Sequence, residues 1–158
     1  MKKTLLVLAA LAALLSAGAC GGAGVRLTHQ EYEQEMQAIA RDMNARGSRM
    51  ERLASAPSNE TFITLLRELE ELVGAAADRV GALKPPEEID EPHETLTDSL
   101  HEVADILDEA VDEAEDGDLL AAMGVLGRAP EELDADVRGA IRDIRTAGFY
   151  IGDEGDWG

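Results

Sequence analysis

Apolar residues recur along most of this chain at intervals of three and four, the spacing of helices that bury one face. Tyr32, Met36, Ile39, Met43, Met50 and Leu53 form one such stripe and predict a first helix over about residues 29–55, with Arg46-Gly47 as its weak point. Thr28 and Glu31 have capping-box spacing at its start, and Leu27 and Tyr32 have hydrophobic-staple spacing. Ser58 is the N-cap predicted for a second helix. Its stripe is Phe62, Leu65, Leu66, Leu69, Leu72, Val73, Ala76, Val80 and Leu83, stopped by Lys84-Pro85-Pro86. A third helix is predicted from near Asp90, with Pro92 tolerated in its first turn. It carries Ile89, His93, Leu96, Leu100, Val103, Leu107, Ala110 and Ala114 as far as a Gly117 cap, with Asp118 as the next N-cap.

Leu119, Met123, Leu126, Leu133, Val137, Ile141 and Ile144 hold one register across Pro130, which allows one kinked helix or two helices meeting there. Gly148 ends this segment, and Phe149-Tyr150-Ile151 is expected to fold back over the end of the molecule. No strand pattern, internal repeat or second domain is evident. Four amphipathic helices joined by short links bury their stripes in one core by packing antiparallel. The expected fold is therefore all-α, an up-down-up-down four-helix bundle over residues 27–151, its last helix kinked or broken near Pro130. Residues 152–158 read as a frayed acidic tail.

The first residues follow a different pattern. Lys2 and Lys3 precede an apolar run from Thr4 to Leu15, and small residues Ser16-Ala17-Gly18-Ala19 lead to Cys20, the only cysteine. A cationic start, a short apolar core and a small-residue cleavage site predict a secretory signal peptide over residues 1–19. The run falls short of the roughly 20 residues a membrane-spanning helix needs. Ala17-Gly18-Ala19-Cys20 resembles the lipobox of bacterial lipoproteins, although Ala17 stands where that family most often has leucine. The resemblance implies that Cys20 carries a diacylglycerol and acyl lipid, palmitate for example. The protein would then be anchored to a membrane on its extracytoplasmic face, with residues 20–26 as a flexible tether. An ordinary cleaved leader followed by an unmodified cysteine is the plainer alternative. Leu83-Lys84-Pro85-Pro86-Glu87, followed by His93 and an amphipathic helix, is also similar to small helical lipoproteins of GC-rich bacteria.

Charge narrows the range of partners. The chain has a formal charge of −19, and loss of Lys2 and Lys3 with the leader would make it −21. Such a surface repels nucleic acid and anionic lipid headgroups, so a basic protein is the expected partner. Residues 85–127 hold fifteen carboxylates and no Lys or Arg. Arg41, Arg46, Arg49 and Arg52 on the first helix, and Arg138, Arg142 and Arg145 on the last, are the expected neighbours of this acidic stretch.

Three sets of residues could carry chemistry. Asp90 with His93, and Asp98 with His101, each place an acid and a histidine at i, i+3. Di-iron bundles use two Glu-x-x-His motifs on different helices. Here both lie on one helix, about 12 Å apart by helical rise, and His93 on the apolar stripe reads as a packed, hydrogen-bonded residue. A ferritin-like or loosely cation-binding bundle built on these four residues is the alternative to a plain interaction module. Met36, Met43 and Met50 lie at heptad spacing, which separates neighbouring Cα atoms by about 10 Å and suits core packing better than a copper site. A haem held by Met36 or Met43 with His101 would lack the Cys-x-x-Cys-His attachment motif. The acidic run from Asp105 to Asp118 fails the calcium-loop pattern, with Ala114 and Met123 at ligand positions if counted from Asp112, and reads as a solvated face. Ser99 and His101 point in different directions on one helix, so they are no nucleophile and base. No hydrolase, phosphate-loop or zinc-protease motif is present. The sequence predicts a non-enzyme with no resident cofactor beyond the Cys20 lipid.

Overall fold

In the computed structural model, which describes residues 25–53, 58–127 and 131–152, the first helix starts as its capping residues dictate. The Thr28 N–H donates to Glu31 Oε2 at 2.9 Å, and the Glu31 N–H donates to Thr28 Oγ1 at 3.3 Å. Two of the four unpaired donors of the helix end are thereby satisfied. Leu27 packs on the same core as Tyr32, completing the staple. Helix α1 then runs His29–Leu53. It passes without interruption through Gly47, which the sequence marked as a weak point. The predicted signal peptide, Cys20 and the glycines at 21, 22 and 24 lie outside the described residues. So do residues 54–57, which include the predicted end of α1, residues 128–130, and the tail from Asp153.

Ser58 caps helix α2, Asn59–Gly81, accepting from the Thr61 N–H at 3.0 Å. Pro85 and Pro86 are buried in the turn that follows. A single 3₁₀ turn, Glu87–Ile89, leads into α3, Asp90–Glu115. That helix ends in a Schellman arrangement around Gly117, whose φ of 90° only glycine adopts readily. The Gly117 N–H donates to the Ala114 carbonyl at 3.2 Å, and the Asp118 N–H to that of Glu113 at 3.0 Å. The Asp118 side chain turns at once to cap the next helix, accepting from Ala121 N–H at 2.9 Å.

The segment around Pro130 resolves into two helices, α4 (Leu119–Leu126) and α5 (Glu131–Thr146). Of the register expected across α4, Leu119 and Leu126 do pack against the core, and Met123 does not. Ala122 and Val125 are buried there, while Met123 is 61% exposed and Leu120 83% exposed. Every residue of Leu-Leu-Ala-Ala-Met-Gly-Val-Leu lacks a polar side chain, so no amphipathic signal marks which face turns inward. Glycine also closes α5. Gly148 has φ 100°, and Phe149, at the position that packs back on a Schellman-capped helix, donates its N–H to Ile144 O at 3.3 Å.

The protein is all-helical among the described residues. Helix α3 is the hub, packing against α2, α4 and α5, while α1 packs against α2. The larger core gathers Tyr32, Met36 and Ile39 with Ala77 and Val80, Leu96 and Leu100, Ile141 and Ile144. Phe149 and Ile151 close it. A smaller core of Leu66, Ala110, Val111, Ala114, Ala122 and Val125 lies toward the far end of α3.

Candidate functional site

Among the described residues, the buried side chains of Tyr32 and His93 meet across a long stretch of sequence. The first turn of α1 carries Tyr32, and α3 carries His93 one turn into the helix. Their hydroxyl oxygen and Nδ1 lie 3.0 Å apart. The Tyr32 ring meets His93 edge-on at 5.6 Å and Phe149 edge-on at 5.6 Å. Phe149 stacks in turn on His29 at 3.9 Å. Burial raises the Tyr32 phenol far above its ordinary range, so its O–H stays protonated. Burial lowers the His93 pKa, opposed by the charge of Asp90 and a hydrogen bond to the Val80 backbone. A neutral ring satisfies both contacts, with one N–H toward Val80 and Nδ1 accepting from Tyr32. The pair thus behaves as a satisfied core contact, as the position of His93 on the apolar stripe led one to expect.

Asp90 has a different partner. Both of its oxygens receive the Arg26 guanidinium, Nη2 to Oδ2 at 2.6 Å and Nη1 to Oδ1. Arg26 also donates to the Pro85 carbonyl at 2.8 Å, and the Leu27 N–H donates to that of Lys84 at 2.8 Å. The arginine hydrogen bond holds the Asp90 carboxyl below its usual range and raises the guanidinium. Arg26, read from sequence as part of a flexible tether, is thus fastened to the turn between α2 and α3. Gly152, assigned to the frayed tail, is buried and accepts from the Arg145 guanidinium.

Asp98 and His101 are exposed on α3, with His101 facing the end of α2 near Gly81. Among the described residues, no three His, Cys, Asp or Glu side chains converge as a metal-ligand set. Met36 is fully buried, Met43 packs against the same core, and Met50 lines an open groove of about 510 Å³ with Asp42, Arg46, Arg49, Glu68 and Glu71. A second groove of about 390 Å³ runs between α3 and α5, past Glu91, Thr95, Asp136 and Arg142. Both mix charges of opposite sign.

The carboxylates of the acidic stretch that lie outward include Asp105, Asp108, Asp112, Asp116 and Asp118. Two cations that sequence reasoning did not assign to this stretch reach it: Arg26 at Asp90, and Arg67 of α2 at Glu115. On α1, Arg46 and the Arg79 of α2 both approach Asp42, each at 3.5 Å. The Arg46 contact stays within α1 and the Arg79 contact joins α1 to α2, the neighbour it packs against, so neither reaches the acidic stretch of α3. Arg142 of α5 does lie beside Glu91 in the second groove. No helix of the described residues is long and apolar enough to cross a membrane. The chain matches no family model, no curated protein and no solved structure.

Proposed function

We propose that this protein is a lipid-anchored, extracytoplasmic lipoprotein whose helical domain is a non-catalytic interaction module for a basic protein. The observation that carries the reading is the N-terminal sequence itself, a cationic start, a short apolar run and small residues ending at Cys20. The docking of Arg26 and Leu27 supports it, because a lipid on Cys20 would then hold the body at the turn between α2 and α3. The body is read as an antiparallel four-helix bundle of α1, α2, α3 and α5, with α4 as a short connecting helix. Supporting this, one core draws side chains from all four, and only a short turn joins α2 to α3.

Replacement of Cys20 by serine tests the anchor. The wild-type chain is expected in the membrane fraction and in the detergent phase of a two-phase partition. The Cys20→Ser chain is expected in the aqueous fraction. Equal membrane retention of the two would reject the lipid anchor.

A further inference from the structure

The outward face of α4 is unlike the rest of the described surface. Leu120 and Met123 project from it, 83% and 61% exposed. Beside them Gly124 leaves open space, with no atom within 4 Å of where a side chain would begin. By helical geometry Gly127 continues the same face, so the exposed side of α4 contains no polar side chain at all. A helix apolar all round is normally buried, and a contiguous exposed apolar face marks a contact surface. The inward side of α4 is already occupied, its Ala122 and Val125 closing the smaller core. The outward side is therefore not required to hold α4 in place.

Charge and position say what covers this face. Exposed Asp112, Asp116 and Asp118 lie in the last turn of α3 and the link just ahead of the start of α4, where Arg67 of α2 pairs with the neighbouring Glu115 and leaves a net acidic stretch. A second copy would bring the same carboxylates against these, on a chain of formal charge −19. Anionic lipid would be repelled likewise. Position also argues against the membrane. The N-terminal segment is fastened at Asp90, the first residue of α3, whereas α4 follows its last turn. The 26 residues of α3 put these two ends about 38 Å apart.

We infer that the outward face of α4 docks a basic amphipathic helix of a partner protein, approaching the end of the molecule opposite its N-terminal attachment. This rests on the interaction-module reading above. Leu120 and Met123 would enter the apolar stripe of the incoming helix, Gly124 would let its backbone approach closely, and the acidic rim would meet its lysines and arginines. The apolar contact gives the site its location, and the charges give it salt dependence.

The test uses the full chain in nanodiscs of neutral phosphatidylcholine, with empty discs as the blank. The probe is a fluorescent 18-residue peptide of leucine and lysine patterned as an amphipathic helix, read by anisotropy. A scrambled peptide of the same composition reports pure charge attraction. The patterned peptide is expected to bind at least tenfold more tightly than the scrambled one, and more weakly as salt is raised. Leu120→Gln with Met123→Gln, both on exposed positions, is expected to remove that advantage while leaving the helical circular dichroism unchanged. Equal binding of the two peptides, or unchanged binding to the double variant, would overturn the proposal. So would self-association in sedimentation, or capture by phosphatidylglycerol vesicles, that the double variant abolishes, since a second copy or a membrane would then be the occupant. Peptide binding does not depend on Cys20, so equal membrane retention of Cys20→Ser with peptide binding intact would reject the anchor alone, and loss of membrane retention in Cys20→Ser with no preference for the patterned peptide would reject this surface alone.

Discussion

Tyr32 and His93, sixty-one positions apart, share a hydrogen bond of 3.0 Å inside the core, which ties the start of α1 to the start of α3. Removing the hydroxyl leaves the His93 Nδ1 acceptor without its partner in a site that admits little water. Tyr32→Phe is expected to lower unfolding stability by about 1–2 kcal/mol, the cost of an unsatisfied buried acceptor. A urea titration by circular dichroism checks it. An unchanged midpoint would show that water replaces the phenol.

His93 also sets a pH dependence. Its folded pKa lies below the ordinary value of 6.5, chiefly through burial. Below that value the unfolded chain therefore takes up more protons than the folded one, and stability falls as pH falls through the folded pKa. Above it both states are neutral and His93 contributes no slope. Glu31 and Asp90, both held below their usual range by hydrogen bonds, lose their contributions only in the lower carboxylate range. His93→Gln does not titrate. The urea midpoint of wild type minus that of His93→Gln is expected to shrink between pH 7 and pH 5, while relief of carboxylate repulsion, common to both, cancels. A difference that stays constant over that range would show that His93 does not titrate differently on folding.

Two glycines are expected to respond in opposite directions. Gly47 sits inside α1 with open space where a side chain would begin, so Gly47→Ala should stabilise by about 0.5–1 kcal/mol through helix propensity. Gly117 holds φ 90° at the end of α3, and Gly117→Ala should cost about 1–2 kcal/mol for the left-handed backbone. Thermal melts of both variants check the pair.

Gly81 is constrained by a neighbour and not by its own backbone. A side chain there would begin 3.0 Å from Thr97 Cγ2, and Thr97 is held in its rotamer by a 2.9 Å hydrogen bond to the His93 carbonyl. Gly81→Ala is expected to destabilise by about 1 kcal/mol. Thr97→Ser removes the offending methyl but keeps the hydroxyl, so the double variant should recover most of the loss. Additive losses in a double-mutant cycle would place the strain elsewhere.

Salt distinguishes repulsion from pairing. Fifteen carboxylates occupy residues 85–127, while Arg26 and Arg67 approach that stretch at two exposed positions. Exposed pairs contribute little each. Raising NaCl from near zero to about 0.15 M, where the screening length is about 8 Å, should raise the melting temperature. A fall would show that the arginine pairs outweigh the repulsion.

What the sequence makes legible here is local. The Thr28–Glu31 box, the Ser58 and Asp118 caps and the Gly117 stop each rest on neighbours within a few residues, and each stands where its spacing places it. The stripes of α2 and α3 succeed because polar residues on the other face leave one way to turn. Helix α4 offers no such contrast, so its register is decided by what α3 presents to it, which periodicity does not encode. The partner of His93 is equally hidden, since Tyr32 is brought to it by the packing of whole helices. Arg26 follows a run of glycines, and nothing in its neighbourhood announces that the Pro85 carbonyl and Asp90 will meet it. A cation at the edge of a domain, facing an acidic helix start, was the signal available.

The fastening of Arg26 and Leu27 also decides how the molecule bears a load. A pull on the chain ahead of residue 25 reaches the Leu27–Lys84 hydrogen bond and the Arg26 contacts with Pro85 and Asp90 before it reaches the first turn of α1. Force therefore enters at the turn joining α2 to α3 and is shared between those two helices. It does not peel α1 away from its free end. The mechanical weak point becomes a small set of bonds that must break together, and α1 is left out of the line of tension until they do.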